Sequence, residues 1–188
     1  MRKIFIDCGC NQGQSIKLFR RSRLYSPEFI IYGFEANPAC FRYLEKFKGD
    51  FVQLANQAVW IKDETRDFYL SSFINAVGSS LKTEKKSGRM NKAHPITVQC
   101  FDFSKWILNN FTGNDYIILK MDIEGAEYDV LNKMINDRSI NLIKKAFVEF
   151  HVDKMNIDIK IHEDLIQTLR CINGFELLPE MYKYLLEK

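Results

Sequence analysis

Short apolar runs alternate along the chain with segments whose apolar residues recur every three or four positions. Ile4, Phe5 and Ile6 open the series, a β-branched and aromatic run suited to a strand buried on both faces. Beyond Asp7 and the glycines Gly9 and Gly13 the period changes, and Ile16 and Phe19 mark a helix expected to end near Arg23. Phe29–Phe34 predicts a second buried strand ending at Glu35. Asn37-Pro38 starts a helix with Phe41, Leu44 and Phe47 on one face, closed by Lys48-Gly49. Residues 51–60 predict a third strand and its exit, 61–73 a small hairpin, 96–101 a strand and 103–111 a short helix. Tyr116–Met121 is another buried run, interrupted by Lys120, after which Gly125 opens a helix packed through Ala126, Val130, Leu131 and Met134. Residues 144–150 predict a strand, 161–172 a helix, and 175–179 and 182–186 edge elements.

Buried strands alternating with amphipathic helices predict an α/β fold around a mostly parallel sheet, with helices on both faces and right-handed crossovers. The 188 residues suit one domain with a sizeable core. At 46% hydrophobic and 27% charged, the composition is ordinary for a globular chain, and a formal charge of +3 gives no reason to expect nucleic acid. No apolar run approaches the roughly 20 residues of a membrane span, and the first residues do not form a secretory signal. The five cysteines are scattered without zinc spacing, which predicts reduced thiols and a cytoplasmic protein.

Candidate chemistry gathers where the apolar runs end. A strand, a glycine-containing turn and a helix N-terminus make a nucleotide-binding corner. The spacing Asp7-x-Gly9-x-Asn11-x-Gly13 is not the G-x-G-x-x-G of dinucleotide sites, and no Lys-Ser/Thr follows to grip phosphate. This excludes a P-loop and disfavours an NAD enzyme. An acid before the glycines suits a positively charged ligand without phosphate, such as S-adenosyl-L-methionine. Glu35 ends strand two, where such folds hold ribose hydroxyls. Asn56 and Gln57 suit either an adenine edge or a polar turn. Asp122 and Glu124 share one strand tip, and Glu149 and His151 end the next. The segment 61–100 reads as a hairpin and loop insertion on the substrate side. Within it, residues 75–94 carry Lys82, Lys85, Lys86, Arg89 and Lys92 against Glu84 alone, predicting a mobile basic loop that helps grip an acceptor.

The stretches IDCGCNQG, YGFEANP, LKMDIEGAEYDVL and FVEFH resemble the FkbM family of S-adenosylmethionine-dependent O-methyltransferases, over residues 3 to 151. The third stretch is the specific one; the first two occur throughout Rossmann-like methyltransferases. Departures are Cys10, where the family often has Ala, and Ala36-Asn37, where it has Pro and a variable residue. The resemblance implies a Rossmann-like methyltransferase sandwich with a seven-stranded, mostly parallel sheet, forming a single domain over residues 1–188. It implies S-adenosylmethionine as cofactor, bound by Asp7, Gly9, Asn11, Gly13, Glu35, Asn56, Gln57 and Asp122. The acceptor would be a hydroxyl of a sugar, glycan or natural product. The D/N-P-P-Y/F signature of base-amino methyltransferases is absent, which argues against nucleic-acid methylation.

A hydroxyl acceptor needs a base, and His151 is the expected one, titrating near about 6.5, with Asp122 as its rival. No metal is required by this reading; if one is present, Mg2+ on Asp122, Glu124 and Glu149 is the expectation. Acceptor binding falls to the 61–100 segment, the strand tips, or a neighbouring domain or second subunit. The competing reading is a methyltransferase-like binding module without catalysis, against which the intact set of Asp7, Gly9, Gly13, Glu35 and Asp122 counts.

Overall fold

The computed structural model describes residues 1–73 and 78–186. The chain runs β1 (Lys3–Cys8), α1 (Gln14–Arg21), β2 (Phe29–Phe34), α2 (Pro38–Phe41) with a 3-10 extension (Arg42–Phe47), β3 (Val52–Ala55), β4 (Ala58–Trp60), β5 (Glu64–Phe68) and β6 (Ile96–Asp102). It continues through α3 (Phe103–Asn110), β7 (Tyr116–Met121), α4 (Glu127–Asn136), β8 (Ile143–Val148), α5 (Val152–Met155), α6 (Ile159–Arg170), β9 (Glu176–Leu178) and α7 (Met181–Leu186). The main sheet has the order β3-β2-β1-β7-β8-β9, and every neighbouring pair is parallel. All six strands therefore end on one edge. Phe5, Ile118 and Phe147 point to the face covered by α1 and α7, while Ile4, Ile6, Ile117 and Leu119 point to the face covered by α3, α4 and α6. This is the α/β sandwich that the alternating runs predict.

Among the described residues the main sheet has six strands where seven were expected, because the predicted strand over 96–101 (β6) joins a second sheet; the predicted strand over 51–60 is divided between the two. Pairing of β3 with β2 stops at Ala55. Asn56 Nδ2 then donates to the carbonyls of Glu35 (2.7 Å) and Ala36 (3.1 Å), and the chain leaves for a second sheet of order β4-β6-β5. The hairpin expected over 61–73 is absent: β5 pairs antiparallel with β6, far along the chain. The helix predicted from Asn37 is α-helical only to Phe41, although Leu44 and Phe47 remain buried. Residues 182–186, expected as an edge element, form most of α7, where Met181, Tyr184 and Leu185 share one helical face against the core.

Of the loop predicted over 75–94, residues 75–77 lie outside the described residues. Residues 78–90 are no solvated loop, for Ser80, Leu81 and Lys85 are buried, while 91–94 are exposed as expected. Ser80 exchanges backbone hydrogen bonds with Tyr69, and Ser71 bridges to Met90, so residues 78–92 lie as a strap over the β7 edge of the site.

Candidate active site

The glycines are required by close packing between strand tips. Gly9 has φ +79°, and a Cβ there would stand 1.9 Å from the carbonyl oxygen of Asp122. Gly13 has φ +86°, and its Cβ would enter the Phe47 ring at 2.2 Å. Both angles suit glycine alone at little cost. Below the turn, Asp7 and Lys120 are register partners on β1 and β7. Asp7 is fully buried, accepts a hydrogen bond from Ser15 Oγ and lies 3.3 Å from Lys120 Nζ. Lys120 donates to the Gly9 carbonyl (2.7 Å) and lies 3.6 Å from Asp122 Oδ2. Burial works against the ammonium charge, but Asp7 and Asp122 outweigh it and hold the Lys120 pKa above its ordinary value.

Glu35 accepts the backbone N–H groups of Asn11 and Asn37, each at 2.8 Å, and so ties the glycine turn to the start of α2. Burial pushes its pKa up to about 7 against the pull of those two bonds. A cavity of about 270 Å³ opens above, lined among others by Gly9, Asn11, Glu35, Gln57, Asp122 and Tyr182. Its size is near the lower end of ligand pockets, about 300–1,000 Å³. Asn11, Gln57 and Glu35 thus reach this space together. Asp7 and Gly13 lie behind the wall, and Asn56 is engaged by the carbonyls of Glu35 and Ala36.

The other half of the site is made of side-chain charge. Glu124 has φ +56° and Gly125 φ +112°, and this turn at the β7 tip leaves two N–H groups facing α4. Glu127 folds back to accept both, from Ile123 (2.8 Å) and Gly125 (2.9 Å). The same carboxylate lies 3.0 Å from His151 Nδ1. His151 is buried at 2% exposure, and its Nε2 faces Glu124 Oε2 (3.1 Å), Glu149 Oε1 (3.6 Å) and Asp122 Oδ1 (3.8 Å). Burial alone would neutralise this imidazole, but Glu124 and Glu127 reverse the effect and raise its pKa to about 10. The expected titration near about 6.5 is therefore displaced, and His151 is cationic at neutral pH. Glu124 resists burial through His151 and Lys85 and falls to about 2, while burial and Asp122 push Glu149 up.

The strap supplies a further cation. Lys85, 1% exposed, donates to Glu124 and to the Gly78 carbonyl (2.7 Å). Lys82 pairs with Asp129 (2.7 Å), and the Lys86 N–H donates to the Lys154 carbonyl (2.8 Å). Two of the lysines expected to grip an acceptor are thus paired with internal acids. The sequence reads Glu127 as a capping acid in the first turn of its helix, which its bonds from Ile123 and Gly125 match, but it marks neither Lys120 nor Tyr182 as part of the site. The signal for Lys120 was present: a lone lysine in an otherwise apolar buried strand has to meet a buried acid. Tyr182 carried no such signal, since it reaches the cavity only through the docking of α7.

A family model described as "Methyltransferase FkbM domain" matches residues 7–185. Among solved structures, the chain is similar to the crystal structure of Methyltransferase FkbM from Methylobacillus flagellatus KT, with 13% sequence identity and a TM-score of 0.49. The match covers 85% of this chain and 36% of that one, so this chain spans about a third of that protein's length. No curated protein matches the sequence.

Proposed function

The chain belongs to the FkbM methyltransferase family, and from that premise we propose that it transfers a methyl group from S-adenosylmethionine to a hydroxyl of a sugar, glycan or natural-product acceptor. One observation carries the reading: the glycine turn, Glu35 and Asp122 converge on a single cavity at the carboxyl ends of parallel strands, where α/β sheets bind ligands. The residues present fit the cofactor. Glu35 uses one lone pair of each oxygen on backbone N–H, leaving acceptor capacity for a ribose diol. The Gly9 turn would let the cofactor approach closely, and Gln57, which lines the cavity, is the polar side chain assigned to the adenine in this reading. Bound S-adenosylmethionine supplies an electrophilic methyl on a sulfonium.

The protein's own task is to align the acceptor oxygen and receive its proton. Alignment alone supplies up to about 7–11 kcal/mol in favourable cases. Asp122 is the proton acceptor in this reading, because its Oδ1 is buried without a hydrogen bond and it lines the cavity. His151, held cationic between Glu124 and Glu127, positions Asp122 and takes no proton itself. The acceptor enters between Asp122 and the strap, where a neighbouring domain or second copy can add contacts. Five free cysteines, four of them buried, fit a cytoplasmic setting. Among the described residues no helix is long and apolar enough to cross a membrane.

The test is calorimetry and thermal shift with S-adenosylhomocysteine against NAD. Binding and stabilisation by S-adenosylhomocysteine alone is expected, followed by its release from S-adenosylmethionine when hydroxyl acceptors are screened. Stabilisation by NAD instead, or by neither, would overturn the cofactor assignment. Binding without turnover on any acceptor would leave the non-catalytic module.

A further inference from the structure

Charge is polarised along the strands. The cavity end gathers Asp122, Glu124 and Glu149, whereas α1 runs from that end down to Arg21, at the amino ends of the strands. Lys17, Arg20, Arg21 and Arg23 are exposed on α1 and just after it. Arg42 and Lys46 are exposed on the 3-10 extension of α2, which packs on the same face of the sheet. Among the described residues none of these six makes an ion pair; Arg23 rests on the Tyr184 ring at 5.9 Å and Lys46 on the Phe47 ring at 5.3 Å. Of the acids in residues 14–51, Glu35 is buried, Glu28 is held by Lys3 (2.7 Å) and Glu45 by Lys48 (2.9 Å), and Asp50 remains.

Helix dipoles favour bases in a last turn and account for Arg20, Arg21 and Lys46. They do not account for Lys17, Arg23 and Arg42, nor for two aromatic side chains that accompany them. Tyr43 is 55% and Phe51 57% exposed. The Phe51 carbonyl accepts the Ile31 N–H (2.8 Å), which fixes the backbone there while the ring stays in solvent. Exposed rings beside free positive charge mark an interaction surface.

We propose that this face, formed by α1, the 3-10 extension and the turn before β3, docks on the headgroups of an anionic lipid bilayer, with Tyr43 and Phe51 entering the interface. Each basic side chain near such a surface is worth about fivefold in affinity, and the attraction fades within about 8 Å at physiological salt. A phenylalanine ring suits the boundary between headgroups and acyl chains. The whole chain carries a formal charge of only +3, so the remainder of the molecule is net acidic. A nucleic acid passing round the protein would meet those acids, whereas a flat bilayer meets one face. Repulsion of the acids also turns the cavity away from the lipid, toward the aqueous side. None of the eight side chains lines the cavity, so the docking stands apart from the methyl-transfer reading.

The test is sedimentation of the full chain with vesicles of phosphatidylcholine, alone or with phosphatidylglycerol added. Binding to the anionic vesicles alone is expected, weakened at least about tenfold as salt rises from about 0.05 to about 0.5 M. Arg20→Glu with Arg21→Glu should weaken it by about tenfold or more. Tyr43→Ser with Phe51→Ser should weaken it by a similar factor and leave its salt dependence in place. Lys160→Glu with Arg170→Glu makes the same change of net charge on α6, at the opposite face, and should cost less than about threefold. All the substituted side chains are exposed, so the variants should melt with the wild type. No sedimentation with anionic vesicles, or equal sedimentation with phosphatidylcholine, would overturn the proposal. So would an equal loss in the α6 variant, full affinity in the aromatic variant, or tighter binding to a single-stranded oligonucleotide.

Discussion

The two ends of the cavity are built by different means. At the β1–β2 end the functional groups are backbone: a glycine turn, N–H groups from Asn11 and Asn37, and one carboxylate holding them. At the β7–β8 end they are side chains in a charged network, with Asp122, Glu124, Glu127 and Glu149 closed around one histidine. Each end is secured by its own buried lysine, Lys120 under the turn and Lys85 from the strap. Backbone geometry is rigid, and pH reaches this end through the one carboxylate of Glu35. A side-chain network can be retuned by one proton, one ion or one displaced strap. A shape-reading end and a charge-tunable end within one cavity suit a fixed cofactor and a variable acceptor.

The comparison breaks first at Lys120. Lys120→Met leaves Asp7 buried without its cation, and removing one partner of a buried pair costs about 3–5 kcal/mol. Denaturant unfolding should show that loss together with weaker S-adenosylhomocysteine binding, and the double variant Asp7→Asn, Lys120→Met should recover part of the stability. Full stability in the single variant would mean that the pair does not secure the turn.

The charged end should respond next, to pH. The pKa of His151 is raised from its ordinary value to about 10. Its contribution is complete below about pH 6.5 and is lost as pH rises through about 10, on the order of 3 kcal/mol in all. Denaturation midpoints measured between those limits should fall for the wild type and stay level for His151→Ala. A parallel fall in both would place the titration elsewhere.

Lys85→Met is the matching change at the strap. It strips a buried cation from Glu124, whose side chain is 15% exposed, and should cost about 2 kcal/mol. Limited proteolysis should then cut within 78–92 faster than in the wild type, with S-adenosylhomocysteine affinity unchanged. An affinity loss as large as that of Lys120→Met would erase the distinction between the two ends.

The smallest effect sharpens the backbone end. Glu35 has a pKa of about 7 before ligand binds. If its carboxylate receives the ribose hydroxyls, S-adenosylhomocysteine affinity should decline by up to about tenfold per unit as pH drops below 7, which is about 1.4 kcal/mol. Calorimetry showing the same affinity at pH 6 and pH 8 would remove Glu35 from the contact.

This contrast also explains what was legible in the sequence. Gly9, Gly13 and Glu35 are read from local spacing, because the turn that needs them is made by neighbouring residues. Asp122, Glu124 and His151 are visible as acids and a histidine at strand ends. Their wiring is not, since Lys85 reaches Glu124 across 39 residues and His151 reaches Glu127 across 24. Spacing carries no record of such long-range pairs. For the same reason residues 78–92 read as solvated from their lysines, although burial of Lys85 turns that segment into structure. The fold class followed from the alternating runs, whereas the split of 51–60 between two sheets depends on side-chain bonds from Asn56.

The placement of Tyr182 bears on how the protein is made. Strand β1 leaves the ribosome well before its neighbour β7, which begins at Tyr116, and before Tyr182 on the cavity wall. Synthesis proceeds at about 5–20 residues per second, so the wall at Tyr182 follows β1 by roughly ten seconds or more. A ligand stabilises a fold only by binding its completed site. The glycine turn and Glu35 therefore wait without their ligand, and the Asp7–Lys120 pair can secure the turn only once β7 has been made.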